Sequence, residues 1–207
     1  MKSAPETTTP AQLRILSAAL RLFARDGYEA VGVAAIAQTV GVKPPSLYKH
    51  FKSKRAIFEG ILRLMERKDA EEAAACSLPL LPPDAAPPGT YTRAAAAALV
   101  PFALRQFRRW TEDPFASDFR KLLTLEQFRS PEMAALYHQY IGSGPLDYVA
   151  ALLGSRTEAI AFYGPMHLLY ALHDASPGPA PLRLLERHLR RWKPARQPAK
   201  PPRKPAR

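Results

Sequence analysis

A chain of 207 residues with 47% hydrophobic content is long enough to bury a real core, in one large domain or two small ones. Its net charge of +12 lies at the ends: residues 1–69 carry 12 Lys/Arg against 6 Asp/Glu, residues 70–189 carry 10 against 12, and residues 190–207 carry 8 and no acid. A single cysteine, Cys76, excludes an internal disulfide framework, the opening MKSAPETTTP has no apolar signal core, and no run approaches the roughly 20 apolar residues of a membrane span. A soluble protein of the cytoplasm is expected.

Residues 1–9 read as a disordered start. A helix follows over Pro10–Asp26, with Thr9 as N-cap, Pro10 in the first position and Gln12 at capping-box spacing. Leu13, Leu16, Leu20 and Phe23 form its apolar stripe, and Gly27 stops it.

The stretch VAAIAQTVGVKPPSLYKHFKSK, residues 33–54, reads as two short helices around a tight turn and the start of a third. Ile36, Ala37 and Val40 make one apolar face, Gly41 suits the positive φ that ends a helix, and Pro44-Pro45 suit a first helical turn. Leu47 and Phe51 then face inward from the second helix. Its other face offers Lys43, Ser46, Tyr48, Lys49 and His50, with Lys52, Lys54 and Arg55 beyond, and no acid occurs between Glu29 and Glu59. Cations and hydroxyls without an opposing carboxylate suit a polyanionic backbone, and a helix-turn-helix can lay its second helix in a DNA major groove. The alternative is an ordinary helical unit with a solvated basic face.

A long helix starts after Ser53 and runs to about Cys76, with Ile57, Ile61, Leu64 and Met65 inward. The proline-rich stretch 78–90 is an extended connector. Helices are then expected over 91–110, with Phe102, Gln106 and Trp110 on one face and a kink at Pro101, over 117–128 with Phe119, Leu122, Leu123 and Leu125, and over Pro131–Tyr140. Gly142 to Pro145 reads as a break before a helix over 146–153. An apolar helix over 158–172 and an amphipathic one over 181–192 complete the body. No stretch alternates with period two, so the fold class is all-α. From residue 193 the cationic, proline-rich tail has almost nothing to bury and is expected to be disordered.

Domains follow: 1–9 disordered, 10–55 helix-turn-helix, 56–192 helical body, 193–207 basic tail. Nothing suggests catalysis or a cofactor: there is no phosphate-cradling glycine loop, no H-E-x-x-H and no nucleophile elbow. Glu126 and Asp147 read as capping or ion-paired carboxylates. His167 and His173, six apart, do not share a face, so no metal site is expected.

Residues 10–65 resemble the DNA-binding domain of the TetR (tetracycline repressor)/AcrR-like family of transcriptional regulators. The resemblance rests on Leu22-Phe23-Ala24, Gly27-Tyr28, Ile36-Ala37, Gly41-Val42 and the string S-L-Y-K-H-F-K-S-K from Ser46 to Lys54. L-T-L-E-Q-F at 123–128 and F-Y-G-P-M-H-L-L-Y at 162–170 extend it more weakly into a ligand-binding and dimerisation domain. It implies a homodimer on a palindromic double-stranded operator, acting as a repressor released by a small, largely apolar ligand, or else as a DNA binder without an inducer.

The resemblance places Tyr48, His50 and Lys54 on phosphates and Lys43, Pro44, Pro45, Ser46 and Lys49 on bases. Val31, Gly32 and Ala34 depart from the family's polar pattern, so side-chain contacts from the first helix of the motif are not expected. Pairing of the last two helices across a twofold axis implies Phe162, Met166, Leu169, Leu182, Leu185 and Leu189 as dimer contacts. The body's ligand residues are expected among Phe102, Gln106, Trp110, Leu123, Gln127, Tyr137, Tyr163 and His167. Pro165 should break one helical bond and free the carbonyl near Ala161.

Overall fold

The computed structural model describes residues 8–74 and 93–192, and these hold ten helices and no strand. The expectations of disorder for residues 1–7 and for the tail from 193, and of an extended connector at 78–90, fall outside the described residues. Helices α1 (Pro10–Asp26), α2 (Val33–Thr39) and α3 (Pro44–Tyr48) form the amino-terminal head. Helix α4 (Lys54–Ala74) leaves it, and α5 (Arg93–Glu112), α6 (Pro114–Glu126), α7 (Pro131–Tyr140), α8 (Ser143–Leu153), α9 (Arg156–Ala175) and α10 (Ala180–Arg191) form the body.

Local chemistry sets the helix ends. Thr9 and Gln12 close the capping box on α1, each side chain meeting the other's amide. Thr8 accepts from Arg67 of α4, so Thr8 and Thr9, within the stretch expected to be disordered, are both engaged. Ser53, Asp113, Ser130 and Ser155 cap α4, α6, α7 and α9 by accepting first-turn amides. The break expected at Gly142 to Pro145 is smaller: α8 begins at Ser143, and Pro145 lies in its first turn, where no amide is needed. Gly144 is required there, since a Cβ would stand 2.6 Å from the Gln139 carbonyl oxygen.

Burial follows the helical period with two corrections. Leu16, Leu20 and Phe23 are buried as expected, but Leu13 is 44% exposed, and Ile15, Ala19 and Leu22 complete the inner face of α1. Leu125 of α6 likewise reaches the surface. The core runs from the head into the body: Ile36, Ala37 and Leu47 are fully buried with Ile57, Phe58 and Ile61 of α4, and Phe107, Phe119 and Leu122 continue it.

Helices α1 and α6 pack against each other, joining head to body. At that seam Glu126 Oε1 accepts the Tyr28 amide at 3.0 Å and also an Arg129 N–H at 3.0 Å. The carboxylate is thus ion-paired and accepting, as its isolation in the sequence implied. Arg55 at the start of α4 grips both carboxylate oxygens of Glu132 in α7, at 2.6 and 2.7 Å.

Candidate nucleic-acid interface and body cavity

The turn between α2 and α3 is built on Gly41. At φ +74 it lets the chain reverse while Val42 N donates to the Ala37 carbonyl at 2.9 Å and Gly41 N to that of Gln38 at 3.1 Å. Arg14 of α1 holds the Val40 carbonyl at 3.2 Å. Pro44 and Pro45 fill the first positions of α3, which ends at Tyr48; a last turn, Phe51 N to Leu47 O at 3.0 Å, brings Phe51 inward. Leu47 is fully buried and Phe51 7% exposed, so this pair fixes the rotation of α3 on the core.

That rotation places Lys43, Pro44, Pro45, Ser46, Tyr48, Lys49 and His50 in solvent together. The surface has hydroxyls, ammonium groups and an imidazole, and among its residues no carboxylate. Lys54 is different. Its ammonium donates to the carbonyls of Tyr28 at 3.0 Å and Glu29 at 3.3 Å and lies 4.4 Å above the Tyr28 ring. Tyr28 is itself wedged between Phe23 and Phe58, at 5.1 and 5.3 Å between ring centres. Lys54 therefore ties α4 to the α1–α2 loop. Val31 is buried and Gly32 gives α2 no side-chain cap, in keeping with the missing polar residues there.

In the body, α4, α5, α7, α8 and α9 surround a cavity of about 410 Å³. Of the eight residues expected to line it, Phe102, Gln106, Trp110 and Tyr163 do. Leu123, Gln127, Tyr137 and His167 do not. Leu123 is fully buried in α6, and Gln127 caps its own helix by donating to Thr124 O at 3.0 Å. His167 stacks edge-on against Tyr163 outside the cavity, where burial pushes its imidazole below the usual value.

The polar end of the cavity, Asp69 of α4 ion-paired with Arg109 of α5, was not anticipated. The two come from helices 40 positions apart, and no spacing rule joins them. Burial, with Glu66 and Glu72 nearby, pushes the Asp69 carboxyl up despite Arg109, and burial pushes the Tyr140 phenol up to about 12. Tyr163 donates its hydroxyl to Ile141 O at 2.8 Å, bracing α9 on the α7–α8 turn.

Five of the six expected dimer contacts turn inward in their own chain, and Leu182 is half-buried. Phe162 and Met166 line the cavity, and with Leu169, Leu185 and Leu189 they are buried within a single chain; Leu182 is packed against the same core. The surface of α9 and α10 instead carries Ile160 at 53%, Leu168 at 65%, Leu172 at 44% and Leu184 at 41% exposure. Among the described residues no three His, Cys, Asp or Glu side chains are grouped to hold a metal, and no helix is long and apolar enough to cross a membrane.

Residues 15–61 match the family model for bacterial regulatory proteins, tetR family. Over 53 residues the chain is 36% identical to the HTH-type transcriptional regulator UidR of Escherichia coli strain K12, covering 26% of this chain and 27% of that protein. Over 47 residues it is 45% identical to the HTH-type transcriptional repressor BdcR of the same strain, covering 23% and 24%. The matched stretch thus spans about a quarter of the length of these curated relatives. Among solved structures, Mycobacterium smegmatis AmtR superposes with a TM-score of 0.57 at 20% identity, covering 92% of this chain and 88% of that one. The fatty acid degradation regulator FadR from Bacillus halodurans superposes at 0.55 with 16% identity, covering 89% and 95%. These two establish a shared fold.

Proposed function

We propose that this chain, whose amino-terminal domain belongs to the tetR family of bacterial regulatory proteins, regulates transcription by binding a palindromic operator as a homodimer and leaving it when a small molecule enters the body. The observation that carries this reading is the outer face of α3, seven adjacent exposed residues rich in cations and hydroxyls. Tyr48 and His50 hold phosphates, and Lys43, Ser46 and Lys49 read base edges while Pro44 and Pro45 touch thymine methyls. Lys54 donates to two carbonyls and lies 3.7 Å from the Glu29 carboxylate, so its part is to hold the head together behind the reading helix rather than to grip a phosphate.

A second copy covers the outer stripe of α9 and α10. Ile160, Leu168, Leu172 and Leu184 are large apolar side chains that one subunit leaves in water, and burying them drives association. Twofold pairing sets two α3 helices about 34–36 Å apart, or a multiple, on one face of the duplex. Release then follows if the ligand favours a different spacing of the heads. The body's cavity supports this over a regulator with no small-molecule inducer, whose interior would be filled. Sequencing the genomic fragments retained by the purified protein tests the reading. An inverted repeat upstream of genes is expected; fragments without a shared motif overturn it.

A further inference from the structure

We propose that the body cavity takes an aromatic carboxylic acid, its carboxylate seated on the Arg109 guanidinium in place of Asp69. The assignment deepens the effector-site reading above and rests on it. The Arg109 side chain is only 9% exposed, yet its guanidinium is lightly used. Among the described residues it meets one Asp69 oxygen and, at 4.0 Å, the Met65 sulfur, and it lies 5.5 Å from the Trp110 ring centre. Arg120 shows the contrast: it spends its donors on both Asp174 oxygens at 2.7 Å and on the Trp110 carbonyl at 3.1 Å. Arg109 therefore keeps N–H groups for an acceptor inside a cavity that it lines. A carboxylate matches the planar fork in two parallel bonds.

The sign of the ligand's charge follows from which member of the ion pair can give up its own. A guanidinium stays protonated in proteins, so an incoming ammonium would leave two fixed cations against one carboxylate. An incoming carboxylate leaves two carboxylates on one guanidinium, and one of these, Asp69, can take a proton from solvent. Its surroundings favour that. Burial already pushes it up, Glu66 and Glu72 of its own helix add negative charge, Arg109 is its counter-ion, Arg105 is drawn to Glu72 at 3.9 Å, and Tyr140 faces it from α7. The rings of Phe102, Tyr148 and Phe162 make the rest of the wall suit an aromatic body.

The exchange also reaches the head. Asp69 and Glu72 of α4 pair with Arg109 and Arg105 of α5, and Lys68 of α4 pairs with Asp113, the cap of α6. A ligand on Arg109 removes the middle rung, on the helix that begins at Lys54 beside the reading surface.

Calorimetric titration of the full chain with 2-naphthoate, 2-naphthamide and 2-naphthylmethylammonium tests the assignment. We expect naphthoate to bind at least tenfold more tightly than the amide and the ammonium most weakly. Naphthoate binding should tighten as pH falls from 8 to 6, by at most about tenfold per unit for one linked proton. Asp69→Asn should remove that pH dependence while keeping the acid bound. Arg109→Gln should abolish the acid's advantage, and Arg109→Lys, which keeps the charge on a folded chain, should lose most of it. Binding of the amide or ammonium as tight as that of the acid overturns the assignment and leaves the cavity as an effector site. Failure of all three probes overturns both. An acid that binds equally well to Arg109→Lys and wild type also overturns the seat on Arg109.

Discussion

The ring Nε2 of His188 in α10 lies 3.2 Å from the carbonyl oxygen of Ala161 in α9, the acceptor whose helical donor would be the amide that Pro165 lacks. The break in α9 is thus mended from its neighbour, and α10 is pinned at that point. His188→Ala should cost about 0.5–1 kcal/mol, at the low end for a hydrogen bond because water reaches the exposed site. In a Pro165→Ala background, where the helix satisfies Ala161 itself, the same change should cost almost nothing. Urea midpoints of the four proteins in the cycle measure this; equal costs in both backgrounds would show that the two residues act independently.

Glu126 joins body to head through the Tyr28 amide, and its side chain is almost wholly buried. Glu126→Ala should cost about 1–3 kcal/mol by stranding that amide, whereas Glu126→Gln keeps an acceptor oxygen and should cost less. Denaturant unfolding separates the two; identical losses would mean that the amide bond carries none of the effect.

Burial pushes the Asp174 carboxyl up, but the two hydrogen bonds and charge of Arg120 outweigh it and hold the carboxyl below the usual range. A depressed carboxyl stabilises the fold above its unfolded value of about 4, and that contribution fades as pH falls through the folded value. Asp174→Ala should therefore cost near the low end of about 3–5 kcal/mol at pH 7, because Arg120 is buried while Asp174 keeps some water. The gap from wild type should narrow below about pH 4. Unfolding series at pH 7 and pH 3 provide the check, and a constant gap would refute the linkage.

The period of apolar residues made most of the helices legible, because each needed only one buried face. The turn at Gly41 and the inward pair Leu47 and Phe51 were legible for the same reason, as was the exposure of the basic face from Lys43 to His50. Helix α9 was not, since it is apolar on both sides. Phe162, Met166 and Leu169 look as fit for a partner as Ile160, Leu168 and Leu172, and only packing against α5, α8 and α10 shows which set turns inward. The cavity's charged end was also hidden, because Asp69 and Arg109 meet only when α4 and α5 are folded side by side. Lys54 read as a free cation because the carbonyls it binds belong to a loop 25 and 26 residues away.

The dimer contact proposed for the outer stripe can be tested apart from folding. Leu168→Glu, at a site 65% exposed in one chain, should leave the subunit folded but shift it from dimer to monomer in sedimentation equilibrium. Leu185→Ala, in the core of the same subunit, should instead lower stability by about 2–5 kcal/mol. A Leu168→Glu protein that remains dimeric would place the interface elsewhere.

The most direct measurement is a hydroxyl-radical footprint of the protein on its selected duplex, alongside the double variant Tyr48→Ala, Lys49→Ala. Two equivalent protected patches about one helical turn apart, or a multiple, are predicted for wild type. The variant should lose both while keeping its fold by circular dichroism. A single unpaired patch, or an unchanged footprint with the variant, would contradict the outward, twice-presented α3.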